Sequence, residues 1–411
     1  MKQRIAVIST VYFPWSHTDC IVSRWLEELP YDEELAGWRP QTEIVSLFVA
    51  QFPPRDVRDL KEGDWLTPPF MPYVDMARAQ SEKFCVPVYD SIEGALCLGA
   101  SKLAVDGVIL IAEHGEYGFN EQSQKMYPRK EFFDQIVEVF RKSGRSVPVF
   151  NDKHLSYNAD WALEMVQTAR ELGFPLMAGS SVPISGMELK DGSFFEMPQD
   201  AIVDEALTLY FVGPESYGYH AIEMLQSFLE KRAGGESGIE SIRIWEGPAV
   251  WAAHEATAWP RELFDAALAI ASHVAPGDMR ANCEAATYRC AQARARTELI
   301  VSPVAFRMKH RDGLHSTHIM LAGHIEDFVM ALRINGEVVP ARSITGQNKD
   351  VLPLNFAFLN RHIEHLMLTG EARMPLDRTL FATRLVANWM NLLWRQVEPG
   401  REIPLAIGYE L

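Results

Sequence analysis

Long apolar runs, paired cysteines and clustered basic residues are all missing from this chain of 411 residues. A membrane span needs about 18 consecutive apolar residues, and no stretch of the sequence reaches that length. The amino terminus does not read as a signal peptide either, because Met1-Lys2-Gln3-Arg4 leads directly into a β-branched run. We therefore expect a cytoplasmic protein without a membrane partner.

The cysteine content and the charge exclude two further classes. The five cysteines are odd in number and include no Cys-x-x-Cys pair, so neither a disulfide framework nor a thiolate metal site is predicted. The formal net charge of −16 repels a phosphate backbone, and no Lys/Arg-rich segment offsets it locally. The sequence thus predicts reduced, mostly buried thiols and no nucleic-acid partner.

Apolar runs alternate with amphipathic segments in the first part of the chain. Strands that alternate with helices of about a dozen residues form parallel βαβ units. Residues 1–180 are therefore expected to form a Rossmann-like α/β domain with a doubly wound parallel sheet. The predicted strands are 4–10, 43–50, 86–89, 105–112, 147–150 and 175–178, and the predicted helices are 18–29, 74–84, 91–102, 130–143 and 158–172.

The pattern changes after residue 180. Short polar turns such as Ile334-Asn335-Gly336 join several apolar runs, which is typical of an antiparallel sheet. Residues 181–411 are therefore expected to form an α+β domain with an open, mostly antiparallel sheet that serves substrate binding and oligomerisation. Strands are predicted at 239–245, 299–308, 314–322, 325–334 and 337–344, and helices at 217–231 and 376–395.

Lys153 is the first candidate for catalysis. The tripeptide Asp152-Lys153-His154 follows the apolar run 147–150 and precedes a helix that begins near Asn158. Open α/β sheets hold their ligands at the carboxyl ends of parallel strands. An ammonium at that place predicts a catalytic lysine.

Two motifs resemble those of the Gfo/Idh/MocA family, which includes glucose-fructose oxidoreductase and inositol dehydrogenase. Asp152-Lys153-His154 is similar to the family's Glu-Lys-Pro motif, and the stretch from Ser216 to Glu223 is similar to its Asp-x-Gly-x-His-x-x-Asp motif. A third stretch, from Leu368 to Leu380, is similar to the family's closing segment. The resemblance covers most of the chain and implies the two-domain order described above.

The resemblance also implies an activity. Such enzymes oxidise or reduce a sugar or polyol hydroxyl with NAD or NADP, so Lys153 would orient the substrate and His220 would take the hydroxyl proton. The motif implies that Tyr217 and Glu223 contact the same carbohydrate-like substrate. The family architecture further implies a homo-oligomer that forms through the carboxyl-terminal sheet.

Two more substrate candidates lie before the helix at 130–143. Tyr127 and Arg129 stand near the expected mouth of the Rossmann sheet, where the cation could recognise an anionic group of a substrate. The alternative is that Arg129 simply begins a surface helix.

The dinucleotide loop departs from the family pattern, so the chain resembles a divergent member. The loop after the first strand, residues 9–17, contains no glycine, whereas the usual fingerprint is G-x-G-x-x-G. The second strand ends at Gln51 instead of an acidic residue that would bind the ribose of NAD. The cofactor-binding candidates that remain are Ser9, Thr10, Ser16, His17, Gln51, Glu113, His114 and Asp152.

These departures leave other functions open. Glu113, His114 and Glu116, with Asp152 and His154, could converge on one cleft and support a cofactor-independent or metal-assisted lyase or hydrolase on a sugar-like substrate. No recognised metal-ligand spacing is present, so a polar loop that positions substrate is the preferred interpretation and no metal ligand is assigned. A non-catalytic scaffold is the third possibility.

Four histidines in a short span do not predict a metal site. His315 and His318 point to opposite faces of a strand, and His324 lies beyond a turn, so they cannot share an ion. With His310, they are expected as polar residues on the open face of the sheet.

Overall fold

The computed structural model describes residues 2–27, 38–60, 73–292, 302–344 and 353–409, without the side chains of residues 288–292. The chain divides into two compact units. The first comprises Met1–Gly118, Met126–Ser181 and Gly346–Leu376, and the second comprises Phe119–Lys125, Val182–Thr345 and Asp377–Leu411. No helix within the described ranges is long and apolar enough to cross a membrane.

A six-stranded parallel sheet forms the centre of the first unit. Its order is β3-β2-β1-β4-β5-β6, so the direction of winding reverses between β1 and β4. The strands are nearly continuous apolar runs because helices cover both faces of a doubly wound sheet. Their bounds are β1 (Gln3–Val11), β2 (Thr42–Gln51), β3 (Val88–Tyr89), β4 (Gly107–Ile111), β5 (Val149–Asp152) and β6 (Leu176–Gly179).

Recognisable caps mark several helix ends in this unit. The Asn158 side chain accepts from the backbone N–H groups of Asp160 and Trp161, and Gly144 and Gly173 end two helices in the left-handed conformation. The helices are α1 (Arg24–Leu26), α2 (Ala77–Phe84), α3 (Ile92–Cys97), α4 (Arg129–Ser143), α5 (Ala159–Leu172) and, from the far end of the chain, α10 (Leu354–Thr369). The helix expected at 18–29 is realised as a π-helical turn, Asp19–Ser23, that runs into α1.

The second unit contains an eight-stranded mixed sheet with the order β14-β9-β10-β11-β8-β12-β13-β7. Every described pair of its strands is antiparallel except β11 with β8. The predicted fold class, a parallel sheet followed by a mostly antiparallel one, is therefore confirmed. The strands are β7 (Met187–Glu188), β8 (Val203–Tyr210), β9 (Ile239–Glu246), β10 (Val304–His310), β11 (His315–Met320), β12 (Val329–Ile334), β13 (Glu337–Ser343) and β14 (Ile403–Ile407).

Helices cover parts of both faces of this second sheet. On one face, α6 (Ser216–Leu229) and α11 (Leu376–Trp394) enclose a core in which the Trp389 ring stacks on Phe306 at 3.9 Å between centroids. On the other face, a second core forms around Trp259 and Phe264. The helices on that side of the chain are α7 (Pro248–Glu255), α8 (Arg261–Ile270) and α9 (Met279–Gln292).

The histidines expected on an open face of the sheet are mostly buried, which corrects that prediction. His310 bonds to Glu236 and Ser316, and His318 bonds to Thr208 at 2.8 Å and lies against Trp389. The expectation failed because α6 and α11 cover the face on which these rings lie. His324 is buried as well, and only His315 stays half-exposed.

Candidate functional site

The carboxyl ends of β1, β4 and β5 lie side by side at the place where the winding of the first sheet reverses. Each of the three loops that follow contains a non-glycine residue in the left-handed region: Trp15 at φ +67°, His114 at φ +67° and Lys153 at φ +64°. Such a conformation costs about 1–2 kcal/mol for an L-residue. Left-handed residues of this kind collect at functional sites, where the strain serves to aim side chains.

Three buried charges meet at these strand ends. The Lys153 Nζ donates to Glu113 Oε1 at 3.0 Å, and the Arg129 guanidinium donates to the other oxygen of the same carboxylate. Lys153 is 4% exposed and Arg129 1%, so solvent does not screen this network. Burial alone would raise the pKa of Glu113, but the two cations outweigh it and hold that pKa well below its usual range.

Arg129 begins helix α4, but its side chain is not displayed on the helix surface. It is the first residue of α4, yet its side chain is buried over the Tyr127 ring, 5.1 Å from the centroid. Its Nε and Nη1 atoms are buried and find no hydrogen-bond partner within the part of the chain that the structure describes. The salt bridge to Glu113 explains how a guanidinium can be buried at this position.

A second pair lies next to the first. His17 Nδ1 and Asp152 Oδ2 are 2.6 Å apart, and the His17 ring makes an edge contact with the His114 ring at 5.1 Å. Burial, reinforced by His17, lowers the pKa of His114 to about 3, so His114 is neutral at physiological pH. His154, whose Nδ1 contacts the Ser156 carbonyl, also has its pKa lowered by burial.

The loop between β1 and α1 is filled by its own groups. Ser9 Oγ bonds Thr18 Oγ1 at 2.6 Å, and Thr10 Oγ1 donates to the Glu113 carbonyl at 2.7 Å. Ser16 Oγ accepts from the N–H groups of Phe13 and Asp19. All three predicted hydroxyls are therefore buried and bonded, Ser9 and Thr10 from the end of β1 and Ser16 from the loop.

The same loop also uses its backbone and its aromatic side chains internally. The Trp15 N–H donates to the Asp19 carboxylate at 2.8 Å, and the Ser16 N–H donates to the Phe13 carbonyl. Tyr12 is fully buried and bonds Ser23 through its hydroxyl. Sequence reasoning missed Asp19, although an acidic residue at a helix start is a common signal of a helix amino terminus.

Gln51 at the end of β2 holds the loop that follows β4. Its Oε1 accepts from the Glu116 N–H at 2.7 Å, and its Nε2 donates to the Glu116 carbonyl at 3.1 Å. The carboxamide thus forms a two-bond link between two strand-end loops. The predicted ribose contact remains a prediction.

The remaining candidates lie in or beside the second unit's helix α6. His220 is 8% exposed and its ring contacts Tyr217 at 5.9 Å and Phe328 at 5.7 Å. Glu223 is fully buried and accepts from the Thr379 hydroxyl at 3.0 Å. His220 and Tyr217 thus lie together on α6 in the second unit, and Lys153 lies in the first unit.

Two acidic residues of the strand ends, Glu113 and Asp152, bond to other side chains of the same loops and helices. No group of three or more His, Cys, Asp or Glu side chains in the described ranges is arranged to hold an ion. Glu113 instead accepts from two cations, and Asp152 bonds His17.

No family model and no curated protein matches the sequence. Solved structures do match it over nearly its whole length. GenD2 from gentamicin A biosynthesis in complex with NAD is 12% identical, with 99% of this chain and 97% of that chain covered and a TM-score of 0.54. Two inositol dehydrogenases are 9% identical: that of Corynebacterium glutamicum (99% and 100% covered, TM-score 0.52) and that of Lactobacillus plantarum (98% and 100%, TM-score 0.53).

The chain has the fold of the Gfo/Idh/MocA-type dehydrogenases. In a Gfo/Idh/MocA-type Rossmann unit, a dinucleotide lays its pyrophosphate on the backbone of the first βα loop and on the following helix. The loop of this chain does not fit that mode, because the N–H groups of Phe13, Trp15 and Ser16 bond within the loop and the Asp19 carboxylate lies at the helix start. Tyr12 and Phe13 are buried in this loop, where the usual fingerprint has glycines.

Proposed function

We propose that this protein is an oxidoreductase that acts on the hydroxyl of a small sugar-like or polyol-like substrate with NAD or NADP. The likeness in fold, which extends over nearly the full length of the chain, carries the proposal. The buried Lys153 at the carboxyl end of β5 supports it, since an ammonium there can donate to a substrate hydroxyl. NAD is the ligand of GenD2 in its complex, and inositol is named for two of the matching dehydrogenases.

The residues of this chain would divide the work as follows. Lys153 would bind and orient the substrate, and Glu113, itself paired with Arg129, would hold the Lys153 ammonium in place. His220 would accept the hydroxyl proton, with Tyr217 and Glu223 around it. Of the predicted cofactor contacts, His17, Gln51, Glu113, His114 and Asp152 lie at the strand ends where a ligand of this fold binds.

The cofactor is the part of the proposal to test first, because the closed loop after β1 does not fit a pyrophosphate. The full-length protein is titrated calorimetrically with NAD, NADH, NADP and NADPH. Micromolar binding of any of the four supports the proposal and requires the loop to open. A matched pair of variants, Trp15→Gly and Trp394→Gly, separates loop opening from the loss of an indole elsewhere, since Trp394 is exposed on the last turn of α11.

A binding failure would contradict the oxidoreductase proposal. If none of the four dinucleotides binds at millimolar concentration, and Trp15→Gly does not restore binding, the nicotinamide chemistry is wrong for this chain. Binding of one dinucleotide without turnover of any sugar or polyol would instead leave a non-catalytic scaffold.

The closed loop favours a second candidate, a cofactor-independent acid–base enzyme of the lyase or hydrolase type on a sugar-like substrate. The Ser9 and Ser16 hydroxyls and the Phe13 N–H form hydrogen bonds within residues 9–18. Two pairs of ionisable side chains, Lys153–Glu113 and His17–Asp152, lie at the same strand ends. Turnover of a sugar-like substrate without any added dinucleotide would support this candidate. Loss of that turnover on chelation would select its metal-assisted version.

The same proposal includes a cytoplasmic location and a homo-oligomer formed through the carboxyl-terminal sheet. A row of charged and polar side chains on that sheet supports the second part, including the pair Arg307–Glu205 at 2.7 Å. Sedimentation analysis of the full-length protein tests it, and a monomer at micromolar concentration would contradict it.

A further inference from the structure

We propose that His17 is a general base of this protein and that Asp152 sets its orientation. The resemblance of the sequence assigns the hydroxyl proton to His220 and makes His17 a cofactor contact, whereas here His17 would take that proton in place of His220. The proposal rests on the proposed function in one respect, namely that a substrate hydroxyl is deprotonated at the strand ends of the first unit.

The geometry of the pair carries the inference. His17 Nδ1 lies 2.6 Å from Asp152 Oδ2. In the proposed arrangement Nδ1 is the donor, because a carboxylate only accepts hydrogen bonds, and the Nε2 lone pair of the ring is left for a substrate proton. Asp152 keeps 2% of its side-chain surface exposed and His17 keeps 15%, which suits a buried orienting group and a base that a substrate can reach.

The surroundings hold the His17 ring in place. The centroid of the His17 ring lies 5.1 Å from that of the His114 ring and 4.8 Å from that of the Phe356 ring of α10, and both contacts are T-shaped. The His17 ring is therefore in contact with two aromatic rings and with the Asp152 carboxylate. A base with one rotamer and one tautomer is what proton transfer in a fixed geometry requires.

The charges near His17 come from the same two loops. Asp152 is followed by Lys153, and His114 is preceded by Glu113, so the His17–Asp152 pair stands beside the Lys153–Glu113 pair. Among these neighbours, His114 is neutral because its pKa is lowered to about 3, and Phe356 on α10 is apolar. The charged groups at these strand ends are thus Asp152, Glu113 and Lys153, with Arg129 on the other oxygen of Glu113.

The proposed step moves one proton from the substrate to His17 and then to solvent. His17 Nε2 takes the proton of a substrate hydroxyl, so the O–H bond breaks and an N–H bond forms. The imidazolium that results faces the Asp152 carboxylate, and the ammonium of Lys153 can balance the negative charge left on the substrate oxygen. The proton then passes from Nε2 to solvent.

The tautomer of His17 tests the pair without any substrate. We would label the histidines of the full-length protein with ¹⁵N, assign His17 with a His17→Gln variant, and read the tautomer from the nitrogen shifts. The expected result is an Nδ1–H ring in the wild type and a shift toward Nε2–H in Asp152→Ala. Wild-type His17 as an Nε2–H ring would overturn the proposal, whether or not the variant folds.

A second His–Asp pair, with an exposed histidine and a buried carboxylate, provides the control. His273 Nδ1 and Asp327 Oδ1 are 3.1 Å apart, and the His273 side chain is 51% exposed. Asp327→Ala should change the His273 signals and leave those of His17 as they are. A change of His17 in that variant would mean that the signals report on global structure and not on the Asp152 contact, which would count against the pair.

Kinetics test the role of the base on a substrate found by a dehydrogenase screen. His17→Gln should lower kcat by roughly 10²–10⁴-fold and abolish the acid limb of the kcat/KM profile, whereas His273→Gln should leave both unchanged. Full activity of His17→Gln would overturn the catalytic role and leave the oxidoreductase proposal standing. An empty screen would count against the oxidoreductase proposal, while the tautomer would still decide the pair.

Discussion

At the scale of single residues, the strand-end loops contain non-glycine residues in the left-handed backbone conformation, which glycine usually adopts. Lys153 and His114 both adopt positive φ, each directly after a buried residue that bonds across the site. The Lys153 N–H donates to the Gly179 carbonyl at 3.1 Å, which fixes the turn after β5. The strained backbone of Lys153 thus directs its ammonium toward Glu113.

Lys153→Ala and Lys153→Gly should differ in stability although both remove the ammonium. Glycine adopts φ +64° without a steric penalty and alanine does not, so Lys153→Gly should be the more stable variant by about 1 kcal/mol. Urea unfolding of both proteins measures the difference. Equal stability, or a more stable alanine variant, would show that the left-handed conformation is not strained.

At the scale of secondary structure elements, helix α6 depends on a close approach to α11. A Cβ on Gly218 would lie 3.2 Å from Trp389 Cζ3 and 3.4 Å from the Tyr210 hydroxyl. Trp389 cannot move aside easily, because it is fully buried and stacked on Phe306 with 7° between the rings. Gly218 in the histidine motif therefore has a packing reason, whatever the role of His220.

Gly218→Ala should destabilise the protein by about 1–2 kcal/mol, because the overpacking exceeds the gain in helix propensity. The penalty should shrink or vanish in a Trp389→Phe background, where the smaller ring leaves room for the methyl group. A double-mutant cycle by urea unfolding measures this coupling. Additive effects of the two changes would exclude the contact as the cause.

The observed helices and strands also show which secondary structure elements a local sequence pattern can predict. The predicted helices 130–143 and 158–172 match α4 and α5, since amphipathic periodicity and glycine caps are local signals. Strand β8 was not predicted, although it lies in the middle of the second sheet. Its partners β11 and β12 lie more than a hundred residues away along the chain, so no hairpin signal marks it.

At the scale of the whole molecule, buried neutral histidines make the fold sensitive to acid. Burial lowers the pKa of His318 to about 3, and that of His114 likewise to about 3. An unfolded chain protonates these rings near pH 6.5, whereas the folded chain does not. The stability that they contribute is therefore complete above pH 6.5 and is lost as the pH falls toward 3.

His318→Asn should remove part of this acid sensitivity. Between pH 7.5 and pH 5, a histidine with so low a pKa lowers the free energy of unfolding by about 2 kcal/mol. The asparagine can keep a bond to Thr208 but does not titrate in this range. Urea unfolding at the two pH values should show a drop that is about 2 kcal/mol smaller in the variant than in the wild type, and equal drops would contradict the buried neutral ring.

The sequence by itself determined the two-sheet architecture and the place of Lys153 at the end of β5. Apolar alternation and helix caps depend only on near neighbours, so they can be read without the fold. The tertiary structure alone decided which charges pair: Glu113 with Lys153 and Arg129, and His17 with Asp152, which is 135 residues away. Partners at such separations depend on strand order, which no local pattern encodes. The tertiary structure also closed the loop after β1, because its short-range bonds, such as Trp15 N–H to Asp19, depend on loop dihedrals.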